Sequence, residues 1–312
     1  MRAVTLNEVP AEPALAEVDT PRPAEGELLV KVAASSVNGF DLSVLGGFLQ
    51  GMMEHRFPLV VGMDFAGTVE ALGEGVDGYA VGDKVFGVAL KPHLGNGAMA
   101  EYVTTPAAFG VAPVPGGLSM EDAGALGLAG TAALNSLDAA AVGEGDTVLV
   151  SGATGGVGAL AVQLAAARGA KVIATARPGA EADFVTGLTD ADISTVDFTG
   201  DLAARVRALA PGGVDVVLHL AGDGVELAGL LKPGGRIPST LGLTQDAVDG
   251  IDVTVHPVMA APDPKTLSAL AAEAASNTVR VPVTATYPLD QVGEAFAAFR
   301  AGTLGKIAVS VA

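Results

Sequence analysis

The 312-residue chain contains no cysteine. That excludes disulfides, thiolate nucleophiles and every cysteine-liganded metal site, and it suits a reducing compartment, the cytoplasm being the expected one. Tryptophan is absent and aromatic residues make up only 4%, so the core is expected to consist of Ala, Val and Leu. Basic residues are scarce: 17 Lys and Arg stand against 35 Asp and Glu, a formal net charge of −18. A surface this acidic repels nucleic-acid phosphates and anionic lipid headgroups, so neither nucleic acid nor membrane is an expected partner. No stretch approaches the ~20 apolar residues of a membrane helix. Residues 1–10 alternate like a strand and lack the basic-then-apolar layout of a signal peptide. Half the residues are hydrophobic and 17% charged, which argues against disorder. The expectation is a cytoplasmic globular protein, long enough for two domains.

What is abundant is glycine, 42 residues, with 18 prolines; in the absence of a repeat they mark tight turns between short elements. From residue 1 to about 118 they break the chain into β-like runs, clearest at 28–34, 67–71, 83–89 and 100–104, as in an antiparallel, partly closed β-domain. From about 120 strands and helices alternate. Strands are expected at 147–151, 171–176, 193–196, 214–220, 235–240 and 252–256, with helices at 157–168, 181–186, 201–209 and 226–231. That order implies right-handed crossovers and a parallel sheet covered by helices on both faces, and six strands suffice for two mononucleotide-binding halves. Beyond 256, helices at 264–275 and 289–300 and strands at 281–287 and 306–311 are expected to return to the first domain.

The segment Ser151-Gly152-Ala153-Thr154-Gly155-Gly156-Val157-Gly158 joins the first parallel strand to its helix. In that context Gly155 allows backbone to approach a pyrophosphate, Gly158 allows the helix to pack on the strand, and the helix N-terminus offers free N–H groups. Ala153, Thr154, Gly155, Gly156 and Val157 are therefore candidate cofactor-binding residues, although Ala153 stands where a strict GxGxxG pattern has its first glycine; the alternative is a tight turn without a ligand. The second strand ends Ala174-Thr175-Ala176-Arg177 with no acid for a ribose 2′-OH. Arg177 can pair with a 2′-phosphate, which favours NADPH over NADH. Thr175 at this strand end, Ala221 and Gly222 after the fourth strand, and Thr240 and Leu241 after the fifth, lie where open α/β sheets bind ligands.

Together with this turn, the segments Ser36-Val-Asn38-Gly-Phe-Asp41, Phe57-Pro-Leu-Val-Val-Gly62-Met-Asp64-Phe-Ala-Gly67, Val81-Gly82-Asp83-Lys-Val85, Leu126-Gly-Leu-Ala-Gly130-Thr131 and Gly305-Lys306-Ile307 resemble the medium-chain dehydrogenase/reductase superfamily, in its zinc-independent quinone oxidoreductase branch. The resemblance spans nearly the whole chain. It implies an α/β fold: a GroES-like β-domain formed by both chain ends (1–120 and 261–312) and an inserted Rossmann domain with a doubly wound parallel sheet (121–260). It also implies a homodimer whose last Rossmann strands pair across a two-fold axis. Zinc relatives carry Cys near Asn38 and His near Met63. This chain has neither there, its four histidines are scattered without ligand spacing, and no metal is expected.

Without metal or thiol, a nicotinamide must carry the chemistry while the protein orients the substrate. Hydride transfer to a quinone or enone needs little beyond proximity and a donor for the developing oxyanion. By resemblance, residues 38–43 lie beside the nicotinamide ribose and substrate. Asn38 and Ser43 are the candidate catalytic donors, and Asn38 and Asp41 candidate cofactor residues; both could equally cap the following helix. Tyrosines found near Ser43 and Leu49 in several quinone reductases are missing, and solvent can supply the proton. Thr131 either reaches the cofactor or caps a helix. Lys306 either meets a cofactor phosphate or is exposed. Phe48, Met52, Met53 and Phe57 either line a flat substrate pocket or pack, and His55 is a proton donor or a surface residue. The leading reading is NADPH-dependent reduction of small-molecule quinones or α,β-unsaturated carbonyls. The alternatives are a biosynthetic enoyl reductase acting on a polyketide-like or acyl-thioester substrate, and an NADPH-binding sensor or structural protein of low turnover.

Overall fold

The computed structural model describes residues 1–311 and divides into two units; the final residue of the expected 261–312 segment lies outside the described residues. The first unit holds residues 1–131, 261–276 and those from 283 onward, and the second holds 132–260 and 277–282. The first unit begins with β1 (Arg2–Leu6), β2 (Ala14–Glu17), β3 (Glu27–Ser36), α1 (Gly39–Leu45), β4 (Glu54–Val60), β5 (Asp64–Leu72), β6 (Lys84–Val88), β7 (His93–Asn96), β8 (Tyr102–Pro106) and β9 (Val111–Pro113). A long helix, α2 (Met120–Ala139), follows and runs through the boundary. Its start is set by Ser119, whose Oγ accepts the Asp122 N–H at 3.0 Å, and by acidic residues in the first turn that suit the helix dipole. Glycines let it approach the β-structure closely: a Cβ at Gly124 would stand 2.8 Å from the Ala34 carbonyl oxygen.

The second unit alternates strand and helix: β10 (Thr147–Ser151), α3 (Gly156–Ala167), β11 (Lys171–Thr175), α4 (Ala180–Thr186), β12 (Ile193–Val196), α5 (Leu202–Leu209), β13 (Val214–His219), α6 (Gly224–Ala228), β14 (Leu231–Ser239) and β15 (Val253–Pro257). All five neighbour pairs are parallel, in the order β12-β11-β10-β13-β14-β15. That order steps outward in both directions from β10, as in a doubly wound nucleotide-binding sheet. Val148, Leu149 and Val150 of β10 are fully buried, as expected of a central strand covered on both faces. Eight residues of α3 are buried, so its lack of a polar face reflects a position inside the unit. Helix α6 lies two residues earlier than the sequence suggested, because Asp223 caps it by accepting the Val225 and Glu226 N–H groups.

The C-terminal stretch adds α7 (Pro264–Ala275), β16 (Val283–Pro288), α8 (Val292–Ala301) and β17 (Lys306–Ser310). Strand β17 pairs antiparallel with β3 and parallel with β16, so both chain ends build one seven-stranded sheet, β16-β17-β3-β5-β6-β9 with β8 also on β3. A second sheet of four strands runs β2-β1-β4-β7. The core of this unit is mostly Val, Leu and Ala around the fully buried Phe65, Phe86 and Phe296, in keeping with the scarcity of aromatics.

Candidate functional sites

In the second unit the Ser151–Gly158 segment is a tight strand-to-helix turn. Gly152 has φ +81°, a left-handed conformation that glycine adopts without strain. The Thr175 hydroxyl at the end of β11 accepts the Gly152 N–H at 2.9 Å and donates to the Val150 carbonyl at 3.2 Å. Thr175 thus secures the turn, with its one proton committed. Ser151 Oγ donates to the Ala221 carbonyl at 2.6 Å, tying β10 to the loop after β13. A Cβ on Gly158 would lie 2.1 Å from the Gly152 carbonyl oxygen, so helix and turn meet there with no room for a side chain.

The turn opens on a cavity of about 720 Å³ at the carboxyl ends of the strands, with Gly152, Thr154, Thr175, Phe198, Ala221 and Gly222 among its lining residues. Its volume is that of a ligand site. Of the residues selected from sequence, Thr154, Thr175, Ala221 and Gly222 meet here. Ala153 is fully buried beneath the turn, and Gly155, Gly156 and Val157 form the half-buried start of α3. Thr240 is half-buried and Leu241 exposed; both lie outside the cavity lining.

Two groups at this end of the sheet were not singled out from sequence. Glu181 in α4 accepts the main-chain N–H of Arg177 at 2.7 Å and, on its other oxygen, Nε at 2.7 Å together with Nη2. An arginine four residues before a glutamate at a helix start is the pattern that could have revealed it. His219 is buried at the end of β13, with Nδ1 2.9 Å from Ser239 Oγ and Nε2 3.1 Å from the Gly222 carbonyl. Ser239 Oγ accepts the Leu241 and Leu243 N–H groups. Its proton therefore goes to Nδ1, and Nε2–H donates to Gly222, which anchors the loops after β13 and β14 together.

In the first unit, Asp64 is fully buried and collects four partners. Oδ2 accepts from Ser36 Oγ at 2.7 Å and Asn38 Nδ2 at 2.9 Å, and it lies 3.5 Å from Lys306 Nζ; Oδ1 accepts the Leu128 N–H at 2.6 Å. Lys306 is only 3% exposed, and its ammonium donates to Asn38 Oδ1 at 2.7 Å and the Val37 carbonyl at 3.2 Å. This corrects the expectation of an exposed lysine: the first residue of β17 turns inward to a buried carboxylate rather than to solvent. Asn38 also differs from expectation. It is the N-cap residue of α1, and both ends of its amide are engaged by Lys306 and Asp64, which leaves it a poor donor for a substrate carbonyl.

Asp41 caps α1 by accepting the Asn38 N–H at 2.8 Å; its other oxygen, Oδ1, is buried without a partner. Burial raises the Asp41 carboxyl to about 7, the Asp64 charge adds to the rise, and the Asn38 N–H and Lys306 oppose it. Burial also pulls the Lys306 ammonium below its ordinary range, against the upward pull of Asp64 and Asp41. Ser43 is half-buried, with its hydroxyl bonded back to the Gly39 carbonyl at 3.3 Å. Thr131 lies inside α2, fully buried with its hydroxyl unpartnered; it caps no helix and has no exposed surface to offer a ligand. Phe48 and Met52 are exposed, Phe57 partly so, and the His55 ring stacks on Phe57 at 6.2 Å between centroids. Among the described residues no group of three or more His, Cys, Asp or Glu side chains converges as a metal site, and no helix is long and apolar enough to cross a membrane.

Gly158→Ala is expected to displace the glycine turn and weaken nicotinamide-coenzyme binding about tenfold or more in calorimetric titration while the circular dichroism spectrum is retained; unchanged affinity would separate the turn from the ligand site. Asp41 holds its proton more tightly folded than unfolded, so its contribution to stability falls as pH rises from about 4 to about 7 and is level above that. Asp41→Asn keeps an acceptor for the Asn38 N–H without the ionisation. It should flatten that decline and raise the melting temperature at pH 8 by roughly 3–8 °C; parallel wild-type and variant profiles across the pH range would refute the assignment.

Comparison with known proteins agrees with this geometry. Residues 24–116 match the alcohol dehydrogenase GroES-like domain family and residues 180–309 the zinc-binding dehydrogenase family. A mycocerosic acid synthase-like polyketide synthase of Mycobacterium tuberculosis is 38% identical over 227 residues, 71% of this chain but 10% of that protein. A chloroplast envelope quinone oxidoreductase homolog of Arabidopsis thaliana is 33% identical over 212 residues, 66% of this chain and 62% of the plant protein. The chain thus matches about a tenth of the former and under two thirds of the latter. A mycobacterial protein solved in complex with NADPH superimposes over 100% of both chains at TM-score 0.86 with 28% identity.

Proposed function

This chain belongs to the medium-chain dehydrogenase/reductase superfamily, and from that premise we propose that it is a metal-independent, NADPH-dependent reductase of quinones or α,β-unsaturated carbonyl compounds. That it is an oxidoreductase follows from the family and from its quinone oxidoreductase homologues. The cavity beneath the glycine turn carries the reading: its volume suits much of a dinucleotide, and a Cβ on Gly158 would fill the closest approach of helix and turn. The Thr154–Val157 backbone at the start of α3 would hold the pyrophosphate, and Arg177, with its side chain 60% exposed, would reach a 2′-phosphate. A neighbouring structure with bound NADPH supports that choice.

A bound nicotinamide coenzyme supplies the hydride. An acceptor already electron-poor at one carbon takes it without a Lewis acid. The residues near Asn38 do not fit zinc: the Cys and His that zinc relatives carry near Asn38 and Met63 are missing here, and the Lys306 ammonium, 2.7 Å from Asn38 Oδ1, would repel a divalent cation. Lys306 and Asp64 occupy the Asn38 amide, so Ser43 is the remaining candidate donor to the developing oxyanion and would serve by turning its hydroxyl from the Gly39 carbonyl, a long bond of 3.3 Å, while Asn38, Asp41 and Lys306 orient the start of α1. We assign the protein to the cytoplasm as a homodimer, in which β15, the end strand of the parallel sheet, would pair with its two-fold mate. A second reading, enoyl reduction of an acyl thioester, is favoured by the polyketide synthase relative.

Steady-state oxidation of NADPH and NADH with quinones, enones, enoyl thioesters and saturated aldehydes tests the proposal. The expected outcome is turnover of quinones or enones that survives EDTA. Turnover confined to enoyl thioesters would select the second reading, and loss of activity on chelation would overturn metal independence. NADPH binding without any turnover would leave a sensor. Arg177→Ala should weaken NADPH about tenfold or more and NADH less than threefold; equal losses would remove the 2′-phosphate role.

A further inference from the structure

The acid expected of an NADH-binding site is absent from the end of β11 but arrives one helical turn later, on Glu181. Its side chain is 13% exposed, whereas that of Arg177 is 60% exposed. Glu181 is therefore the fixed member of the pair. The Arg177 main-chain N–H anchors one carboxylate oxygen at 2.7 Å, and the other takes the Nε–Nη2 edge of the guanidinium. This edge is the one that would otherwise grip a phosphate bidentately. The Arg177 guanidinium and its main-chain N–H hold the Glu181 carboxyl below the usual carboxylate range, against the effect of partial burial, so it is negative wherever the enzyme works near neutral pH.

We propose that Glu181 is a specificity-determining residue for the coenzyme: it neutralises half of the 2′-phosphate subsite and offers ribose hydroxyls an acceptor, so that NADH competes with NADPH. The proposal rests on the reading that the adenosine ribose lies beside Arg177. A 2′-phosphate can still reach the outer Nη1 edge, but it brings up to two negative charges towards a third. At a separation of about 6 Å in water-like surroundings that repulsion is worth roughly a factor of ten before salt screening. NADH brings no such charge, and its 2′-hydroxyl can donate to a carboxylate. Asp197, at the end of β12, is paired with Arg205 at 3.1 Å and bonded to Thr199, so Glu181 is the carboxylate directly bonded to Arg177.

The test is calorimetric or fluorescence titration of the full chain with NADPH and NADH, in the wild type, Glu181→Gln, Glu181→Ala and Arg177→Ala, with circular dichroism melts to establish folding. Both Glu181 variants should tighten NADPH three- to tenfold at low salt and weaken NADH or leave it unchanged, and the gain should shrink as salt is raised. Arg177→Ala should shift preference the other way. If the wild type binds coenzyme but neither Glu181 variant changes the NADPH-to-NADH ratio, or both move it towards NADH, Glu181 does not set selectivity and the coenzyme reading stands. If the wild type binds neither coenzyme, the coenzyme reading and this inference fall together.

Discussion

One buried carboxylate joins four separate stretches of the first unit. Asp64 opens β5, and its two oxygens bind Ser36 at the end of β3, Asn38 at the start of α1, Leu128 within α2 and, at longer range, Lys306 at the start of β17. Separating these segments would leave the charge unsatisfied, and a buried carboxylate without partners is far more costly than the bonds it makes are favourable. The pair with Lys306 adds little net stability compared with an apolar replacement of the same shape. Removing one partner alone would strand the other, at a cost of about 3–5 kcal/mol. The cluster therefore acts as a register device: it requires the last strand of the chain to lie against β3.

The same cluster limits what nearby side chains can do. An amide has two donors and one acceptor region. At Asn38 the acceptor is taken by Lys306 and the best-placed donor by Asp64, so the residue that looks most like a substrate donor in the sequence is committed to holding the backbone. Asp41 is subject to a different constraint. It satisfies the N–H of Asn38, the residue before α1, but its second oxygen is buried without a partner, and the low-dielectric surroundings favour its neutral form. The two acids thus divide the work: Asp64 stays within reach of the Lys306 ammonium, and Asp41 keeps its proton up to about neutral pH.

Much of the second unit was legible because its signals are local. Strand–helix alternation and the glycine turn lie within short windows, and β10 and β12 fall where apolar runs and turn residues put them. What depended on distant partners was not legible. Lys306 and Asn38 are 268 positions apart, and nothing in the sequence near Lys306 distinguishes a buried ammonium from a solvated one. Strand β4 was hidden because only Leu59 and Val60 of its seven residues are buried, so it lacks the alternation that marks a half-buried strand. His219 looks isolated in the sequence because Ser239, twenty residues on at the end of β14, meets it only through the parallel pairing of β13 with β14. Glu181 is not legible as a ribose-binding acid because it stands in the first turn of α4, whereas the dinucleotide pattern places that acid at the end of the strand.

These differences share a physical cause, which is where charge is placed relative to water. In the first unit an ammonium and two carboxylates are buried almost completely, so their interactions are little screened by salt and change only when a proton moves. At the end of β11 the Arg177–Glu181 pair stays in contact with solvent on the arginine side. Such a solvent-facing pair is only weakly stabilising, weak enough to reorganise when a ligand brings its own charge. A buried network of this strength suits fixed backbone geometry, whereas a solvent-facing pair suits discrimination between ligands that differ by one phosphate. The chain uses each kind of ion pair where its energetics allow: rigid register in one unit, adjustable selectivity in the other.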